Sequence, residues 1–183
     1  MISFDKNHAV VAAIADEMKK QKSLLGRTKV QKLVFLLSEL FEAKTDYQFK
    51  FYTYGPFSNE LAGDIDYLAK IDVLDSIFHL DKGFYEIEPG KSYHAPEVHG
   101  SLGEQINSSI QSLVSKFGDK TAAELELLST VVFVNRFDDA GTTLSSLTER
   151  TKALKPKFSD TDIFNAVQSI RDRLAISDEP LAA

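Results

Sequence analysis

Six basic side chains lie close together in the sequence and could contact phosphate groups. The segment between Met18 and Gln31 contains five of them and no acidic residue, and the sixth follows directly; they are Lys19, Lys20, Lys22, Arg27, Lys29 and Lys32. Each Lys or Arg that neutralises a phosphate releases a counterion, so such a cluster would bind nucleic acid with a steep dependence on salt. Charge runs of this size are also common on solvated surfaces. The cluster is a candidate phosphate-binding site, and the alternative is an ordinary solvated helix end.

A second group of residues is aromatic and could bind protein. Tyr47 to Tyr54 predicts a strand that Gly55-Pro56 ends by turning the chain. The two-residue period of a strand places Tyr47, Phe49 and Phe51 on one face and Tyr52 and Tyr54 on the other. If one face is core, the tyrosines are exposed and can act with Phe57 as binding anchors. If helices cover both faces, all of them are buried, and the pattern leaves both arrangements open.

The histidines and carboxylates give little indication of catalysis. A zinc site could take its ligands from His94, Glu97 and His99, with His79 from a predicted hairpin as a fourth. Their spacing matches no metal motif, so a polar loop is the preferred interpretation. Asp138-Asp139 could be a catalytic pair, but Gly141 favours a turn that ends a helix, and Glu124 and Glu126 fit a first helical turn. The chain has no cysteine, no nucleophile elbow and no phosphate-binding glycine motif. We therefore expect neither a metal, nor a cofactor, nor an enzyme.

Composition is that of a soluble globular protein. The chain has 183 residues, 43% hydrophobic and 26% charged, and a net charge of −6. This acidic balance disfavours nonspecific binding of nucleic acid by the whole surface. The longest apolar run, Ala9 to Ala15, is far shorter than the roughly 20 residues that span a bilayer. There is no secretory signal pattern, so we expect a cytoplasmic location and no membrane partner.

The elements that position these residues are mostly helical. Asp5 or Asn7 predicts the start of a first helix that ends near Lys22, and Thr28 with Gln31 predicts a capping box for a buried second helix. Ser58 is placed to cap a third helix. Residues 76–80 and 84–88 then predict the two strands of a hairpin, whose loop is Asp81-Lys82-Gly83.

The second half is predicted to be helical throughout. Residues 91–100 look like a connection, and a helix follows that ends at Gly118. Thr121 with Glu124 opens a helix over residues 122–137, which Asp138 to Gly141 breaks. A further helix precedes Pro156, and Ser159 with Asp162 starts the last one.

Several short motifs resemble a known family. They are Gly26-Arg27, Lys29, Gln31-Lys32, Phe51-Tyr52, Tyr54-Gly55-Pro56-Phe57-Ser58 and Glu60-Leu61, with weaker similarity in Leu125-Glu126-Leu127 and Lys155-Pro156-Lys157-Phe158. Their order resembles the YwgA-like proteins, relatives of the SocA-like antitoxin or Panacea domain. The resemblance covers roughly residues 5 to 90 best. It implies a winged-helix-like fold and, in that family, neutralisation of a toxin encoded nearby by direct binding.

The expected fold class is mainly α (α+β). A winged-helix-like core with a small antiparallel sheet and a β-hairpin occupies residues 1–93, a helical layer packs on it over 94–176, and residues 177–183 form a flexible tail. Since the helix that would enter a DNA groove has a net charge of −3 over residues 59–72, it would repel phosphates. The first functional hypothesis is therefore a non-enzymatic interaction module. Its predicted protein-binding residues are Tyr52, Tyr54, Phe57, Asp64 and Asp66, the aspartates meeting a basic partner. The alternative is a winged-helix DNA-binding regulator that uses the basic cluster.

Overall fold

The computed structural model describes residues 5–81, 83–137 and 143–174. Its elements, in chain order, are α1 Lys6–Lys20, α2 Arg27–Leu40, β1 Lys50–Tyr52, β2 Gly55–Phe57, α3 Asn59–Lys70, β3 Leu74–His79, β4 Phe84–Pro89, α4 Ala95–Phe117, α5 Ala122–Phe137, α6 Leu144–Leu154 and α7 Asp160–Ile170. A short 3-10 turn, Arg171–Arg173, follows α7. The strands form two antiparallel pairs, β1 with β2 and β3 with β4. The expectation of a mainly helical α+β fold is confirmed.

Helix α2 lies in the centre of the core. Leu33, Val34, Leu36 and Leu37 are all fully buried, as the nearly continuous apolar pattern of this helix predicts. α2 packs against α5, and α1 packs against α4. A single cluster of buried apolar side chains therefore includes residues from both halves of the chain.

Most of the predicted helix starts are confirmed. The Asp5 carboxylate accepts from the His8 amide at 2.8 Å, and the Ser58 hydroxyl accepts from the Leu61 amide at 3.3 Å. Thr121 and Glu124 form the reciprocal hydrogen bonds of a capping box, as do Ser159 and Asp162. Each of these caps satisfies an amide of the first turn that has no partner within its helix.

The predicted capping box at Thr28 and Gln31 is wrong. Helix α2 has Gly26 at its N-cap, with no side-chain cap. The Gln31 amide group instead donates to the Ser58 carbonyl and accepts from the Ser58 amide, both at 2.9 Å. Gln31 is buried, so its side chain bonds to a segment 27 residues away that packs over it.

The strand predicted over 47–54 is also wrong in its extent. β1 contains only Lys50–Tyr52, the chain turns at Thr53 and Tyr54, and Gly55 and Pro56 belong to β2. The turn comes earlier because Gly55 has φ 83°, which directs the chain back along β1 and gives a hairpin of its own. We call residues 50–57 the aromatic hairpin.

The second hairpin, β3–β4, confirms the predicted one, although Lys82 in its loop lies outside the described residues. It is joined to the connection between α1 and α2. Gly26 bridges Glu86, and the Ile87 amide donates to the Leu25 carbonyl at 2.7 Å. The connection thus runs antiparallel to β4.

The segment 91–100 is only partly the predicted connection, because α4 already begins at Ala95. The helix is kinked at Gly103, which has φ 75° and ψ 167°. The Asn107 side chain donates to the carbonyls of His99 and Gly103, both at 2.8 Å. These bonds satisfy carbonyls that the kink removes from the helical ladder.

The predicted turn at Asp138 to Gly141, the Asp138-Asp139 pair and the tail 177–183 lie outside the described residues. Among the helices that are described, none is both long enough and apolar enough to cross a membrane.

Candidate functional site

The aromatic hairpin directs two tyrosines to the solvent. Tyr52 and Tyr54 are 50% and 63% exposed. Phe51 faces inward, with its ring 5.2 Å from that of Phe133. Phe57 is half-buried, and its ring packs edge-on against Tyr52 at 5.7 Å. Of the two arrangements that the sequence left open, the structure has the one in which the tyrosines are exposed.

A buried ionic cluster lies beneath this hairpin. Lys155 Nζ is 2.7 Å from Glu126 Oε1, and their side chains are only 3% and 5% exposed. The same ammonium donates to the Thr53 carbonyl in the turn of the hairpin. Lys157 Nζ, nearer the surface, lies 2.8 Å from the other Glu126 oxygen. A charge pair in the interior has lost its hydration, so it must be well hydrogen-bonded to persist.

Lys32 is the third lysine beneath the hairpin. It extends from α2, is 1% exposed, and donates to the Pro56 carbonyl at 2.6 Å. Burial lowers the pKa of Lys32 to about 8, since the charged form loses hydration; Glu126 partly opposes this effect and Lys155 adds to it. We call Lys32, Glu126, Lys155 and Lys157 the lysine–glutamate cluster.

Glu126 is held in its ionised form. Burial alone would raise the pKa of this carboxyl group, but hydrogen bonds from Lys155 and Lys157 outweigh burial and keep the pKa below its usual value. The prediction that Glu126 lies in the first turn of α5 is wrong, because the helix begins at Ala122 and the only acidic residue in its first turn is Glu124; the charge of Glu126 is met by lysines and not by the helix dipole. Glu124, by contrast, is exposed and does bond to Thr121.

Close backbone packing fixes the base of the hairpin. Gly55 lies against α5, where a Cβ atom would come within 3.2 Å of Thr130 Oγ1 and 3.4 Å of Ser129 Oγ. With its positive φ, this position favours glycine both for its conformation and for its space. Two buried lysines hold the two sides of the same turn: Lys155 donates a hydrogen bond to the Thr53 carbonyl, and Lys32 donates one to the Pro56 carbonyl.

A cavity of about 410 Å³ opens between this hairpin, α2 and α3. We call it the hairpin cavity. Lys32 and Gln31 line it from α2, Tyr52 and Phe57 from the hairpin, and Ile65 from α3. Its volume is within the range of small-molecule sites, about 300 to 1,000 Å³.

The two aspartates predicted to bind protein are already partnered. Asp64 accepts from the Tyr47 hydroxyl at 2.8 Å and lies 3.3 Å from His8 Nε2. Burial and the hydrogen bond to Asp64 raise the pKa of Tyr47. Asp66 forms an ion pair with Arg27, although its side chain is 65% exposed. Both carboxylates thus help to hold α3 against its neighbours.

The basic cluster is divided among several environments. Lys19 lies 2.8 Å from Glu88, and Lys20 lies 2.8 Å from Asp16 and 2.7 Å from Glu17. Because Lys32 is buried, it does not lie on the outer surface with the others. Lys22, Arg27 and Lys29 do come together, since they line one cavity of about 630 Å³ with Lys120.

The histidines do not form the metal set considered from the sequence. His79 bonds to Glu86 at 2.5 Å, and His94 lies 3.6 Å from Glu97. In the described part of the chain, the potential ligands that converge are instead Asp16, Glu17 and His99. The ammonium of Lys20 already bridges the two carboxylates, so this group has an internal cation.

Sequence reasoning missed Glu126, Lys155 and Lys157 as parts of a site. One signal was available, because Glu126 is the one charged residue in a mostly apolar helical stretch, LELLSTVV. A charge in such a position requires a buried partner. Nothing in the local pattern identified Lys155, which is 29 residues away.

Segments that carry the family resemblance therefore meet at one place. The hairpin, the start of α2, the second turn of α5 and the segment after α6 all contribute to the lysine–glutamate cluster or the hairpin cavity. No family model matches the chain. It is similar to the uncharacterized protein YwgA of Bacillus subtilis (strain 168), with 25% identity over 181 residues that cover 91% of this chain and 96% of that protein. The similarity thus extends well beyond residues 5–90 and supports a YwgA-like relationship.

Proposed function

We propose that this chain is a non-enzymatic, cytoplasmic interaction module that binds a protein partner through the aromatic hairpin. The observation that carries the proposal is the exposure of Tyr52 and Tyr54 on a turn held from below by buried lysines. Tyrosine is enriched among residues that dominate binding energy. A pre-ordered turn loses little conformational entropy on binding, which favours affinity.

The resemblance to SocA-like antitoxins names the kind of partner. We propose that the partner is a toxin encoded nearby and that direct binding neutralises it. Tyr52, supported by the half-buried Phe57 that packs edge-on against it, would contact an apolar pocket of the partner, while Tyr54, whose ring centroid lies 5.7 Å from Lys157 Nζ, would lie near the rim. We also propose that residues 1–93 form a winged-helix-like core. In this core, the Leu25–Gly26 connection, which lies alongside β4, would be the short first strand.

Affinity capture with the tagged chain tests this function. The wild type is compared with Tyr52→Ala/Tyr54→Ala and with Tyr85→Ala, a control tyrosine that is 52% exposed on the other hairpin. We expect a stoichiometric protein to survive nuclease treatment, and the double variant to bind it at least tenfold more weakly. Co-expression with the neighbouring gene product then measures rescue of growth. Equal capture by all three forms would show that the aromatic hairpin is not part of the interface.

The second candidate function is DNA-binding regulation through the basic residues. The observation that favours it is the shared cavity of Lys22, Arg27, Lys29 and Lys120. The pairing of Arg27 with Asp66 and the acidic α3 weigh against it. Charge reversal at Arg27 and Lys29 should weaken DNA binding and flatten its salt dependence by about one unit of slope per lost contact. Unchanged binding would exclude this assignment.

A further inference from the structure

The hairpin cavity has a positive charge in its lining without a carboxylate beside it. Lys32 lines the cavity, and its ammonium donates to the Pro56 carbonyl. Within the described residues, no carboxylate oxygen lies within 4.0 Å of this ammonium. A carbonyl is a dipole and leaves the net charge of Lys32 in place.

The lysine–glutamate cluster has more cations than anions. Glu126 shares its two oxygens between Lys155 and Lys157. The two buried ammonium groups, on Lys32 and Lys155, therefore face one buried carboxylate. A buried charge that lacks a counter-ion is costly, and a bound anion would supply the missing counter-ion at this place. Because the buried excess is a single positive charge, it suits a monoanion.

The rest of the lining determines what the anion is attached to. The aromatic residues Tyr52 and Phe57 and the apolar residues Ala62 and Ile65 line the cavity, together with Arg27, whose charge is already paired with Asp66. Gln31 is held in place by Ser58, which occupies its side-chain oxygen and one of its two N–H groups. The cavity thus joins apolar walls to one buried cation, which is the chemistry that binds a carboxylate on an apolar body.

We propose that the hairpin cavity binds a small apolar carboxylate, with Lys32 as its counter-ion. The carboxylate is either a free organic acid or the terminal carboxylate of a peptide chain. This inference is independent of the toxin hypothesis, because it requires only the cavity and its charge.

The test is a calorimetric titration of the full chain with benzoate and with benzamide, its neutral analogue of similar shape. Lys32→Met is compared with the wild type and with Lys29→Met, a control lysine on the same helix that lines the other cavity. We expect benzoate to bind the wild type and Lys29→Met alike, and to bind Lys32→Met at least tenfold more weakly, as loss of a charge-assisted bond predicts. Benzamide should also bind at least tenfold more weakly than benzoate.

A second variant keeps the test independent of Lys32 itself. Ala62→Phe fills the cavity from α3 and leaves the charge in place, so it should also abolish benzoate binding; thermal melting confirms that each variant is folded.

The pH dependence of binding is a further test. In the wild type, benzoate affinity should fall as the pH rises above about 8, because Lys32 then loses its proton. The groups around Lys32 are the Pro56 carbonyl, which accepts its hydrogen bond, and the charged side chains of Glu126 and Lys155. Equal binding of benzoate and benzamide, or equal binding by wild type and Lys32→Met, would overturn the proposal, as would no saturable binding of benzoate.

A last titration distinguishes the sources of the carboxylate. The probe is the acetylated dipeptide Ala-Phe with a free carboxylate, and its amidated form is the control. Tighter binding of the free-carboxylate peptide than of benzoate assigns the cavity to a chain end, and the reverse order assigns it to a free acid. If neither probe binds while the tyrosines still capture a partner, this inference fails and the proposed function stands.

Discussion

Lys155 and Glu126 form an ion pair in the interior, with 2.7 Å between Nζ and Oε1. Because Lys155 also donates to Thr53, the pair joins α5, the segment after α6 and the aromatic hairpin. The exposed tyrosines of the hairpin are thus positioned by charges that lie beneath them. Stability of this cluster and function of the hairpin can be tested separately.

Glu126→Gln should destabilise the protein. It leaves Lys155 buried without a counter-ion, and breaking a buried pair in this way costs about 3 kcal/mol or more in the free energy of unfolding. Urea unfolding at pH 7 measures the loss. The matched control is Asp160→Asn, which breaks an exposed pair with Lys152 and should change stability by less than about 0.5 kcal/mol.

The same variant has a predicted pH dependence. Since the pKa of Glu126 in the folded chain lies below its usual value of 4.5, its ionic contribution is present above pH 4.5 and is lost as the pH falls through the folded pKa. The stability difference between the wild type and Glu126→Gln should therefore shrink in acid. A difference that stays constant down to acid unfolding would contradict this role.

Lys32→Met should alter the pH dependence of stability in the alkaline range. The folded pKa is about 8 and the ordinary value is 10.5, so between these values the unfolded chain holds a proton that the folded chain has released. Wild-type stability should rise relative to Lys32→Met over this interval, by about 3 kcal/mol. Denaturant unfolding of both proteins from pH 7 to 10 measures the change, and parallel curves would show that folding does not lower the pKa of Lys32.

Gly103→Ala should destabilise α4. The backbone at Gly103 has φ 75° and ψ 167°, a conformation accessible essentially only to glycine, so alanine costs about 1–3 kcal/mol. Gly100→Ala, in the same helix, has open space for a Cβ and should be stabilising by about 0.5–1 kcal/mol. Thermal melting compares the two, and a stabilised Gly103→Ala would mean that the helix runs straight.

Gly55→Ala should disturb the aromatic hairpin. The positive φ and the approach of a Cβ to Thr130 Oγ1 at 3.2 Å together predict a loss of about 1–3 kcal/mol. Gly63→Ala, at an exposed position of α3, is the control and should be stabilising, by about 0.5–1 kcal/mol. Hydrogen exchange of the backbone amides should show that the destabilisation caused by Gly55→Ala is located in residues 50–57. Equal protection in both variants would argue against strain at Gly55.

Much of the secondary structure could be predicted because its determinants are local. Asp5, Ser58, Thr121 and Ser159 begin their helices through bonds to residues three positions later, so short patterns suffice. The burial of α2 likewise follows from the apolar residues around its whole circumference.

Predictions failed where a side chain bonds to a distant segment. Gln31 has the spacing of a capping residue, but Ser58 takes both of its polar atoms. Lys32 was grouped with its basic neighbours, but helical geometry turns it into the core beneath Pro56. In each case a tertiary hydrogen bond in a buried site outweighs a local preference, since an unsatisfied buried polar group is costly.

By itself the sequence determined the helix order, the β3–β4 hairpin, the central place of α2 and the aromatic character of residues 47–57. Only the tertiary structure decided that Tyr52 and Tyr54 are exposed, and that Lys32, Glu126 and Lys155 meet beneath them. The physical reason is distance along the chain. Local spacing determines which face of an element a residue occupies, but the packing of remote elements determines what that face contacts.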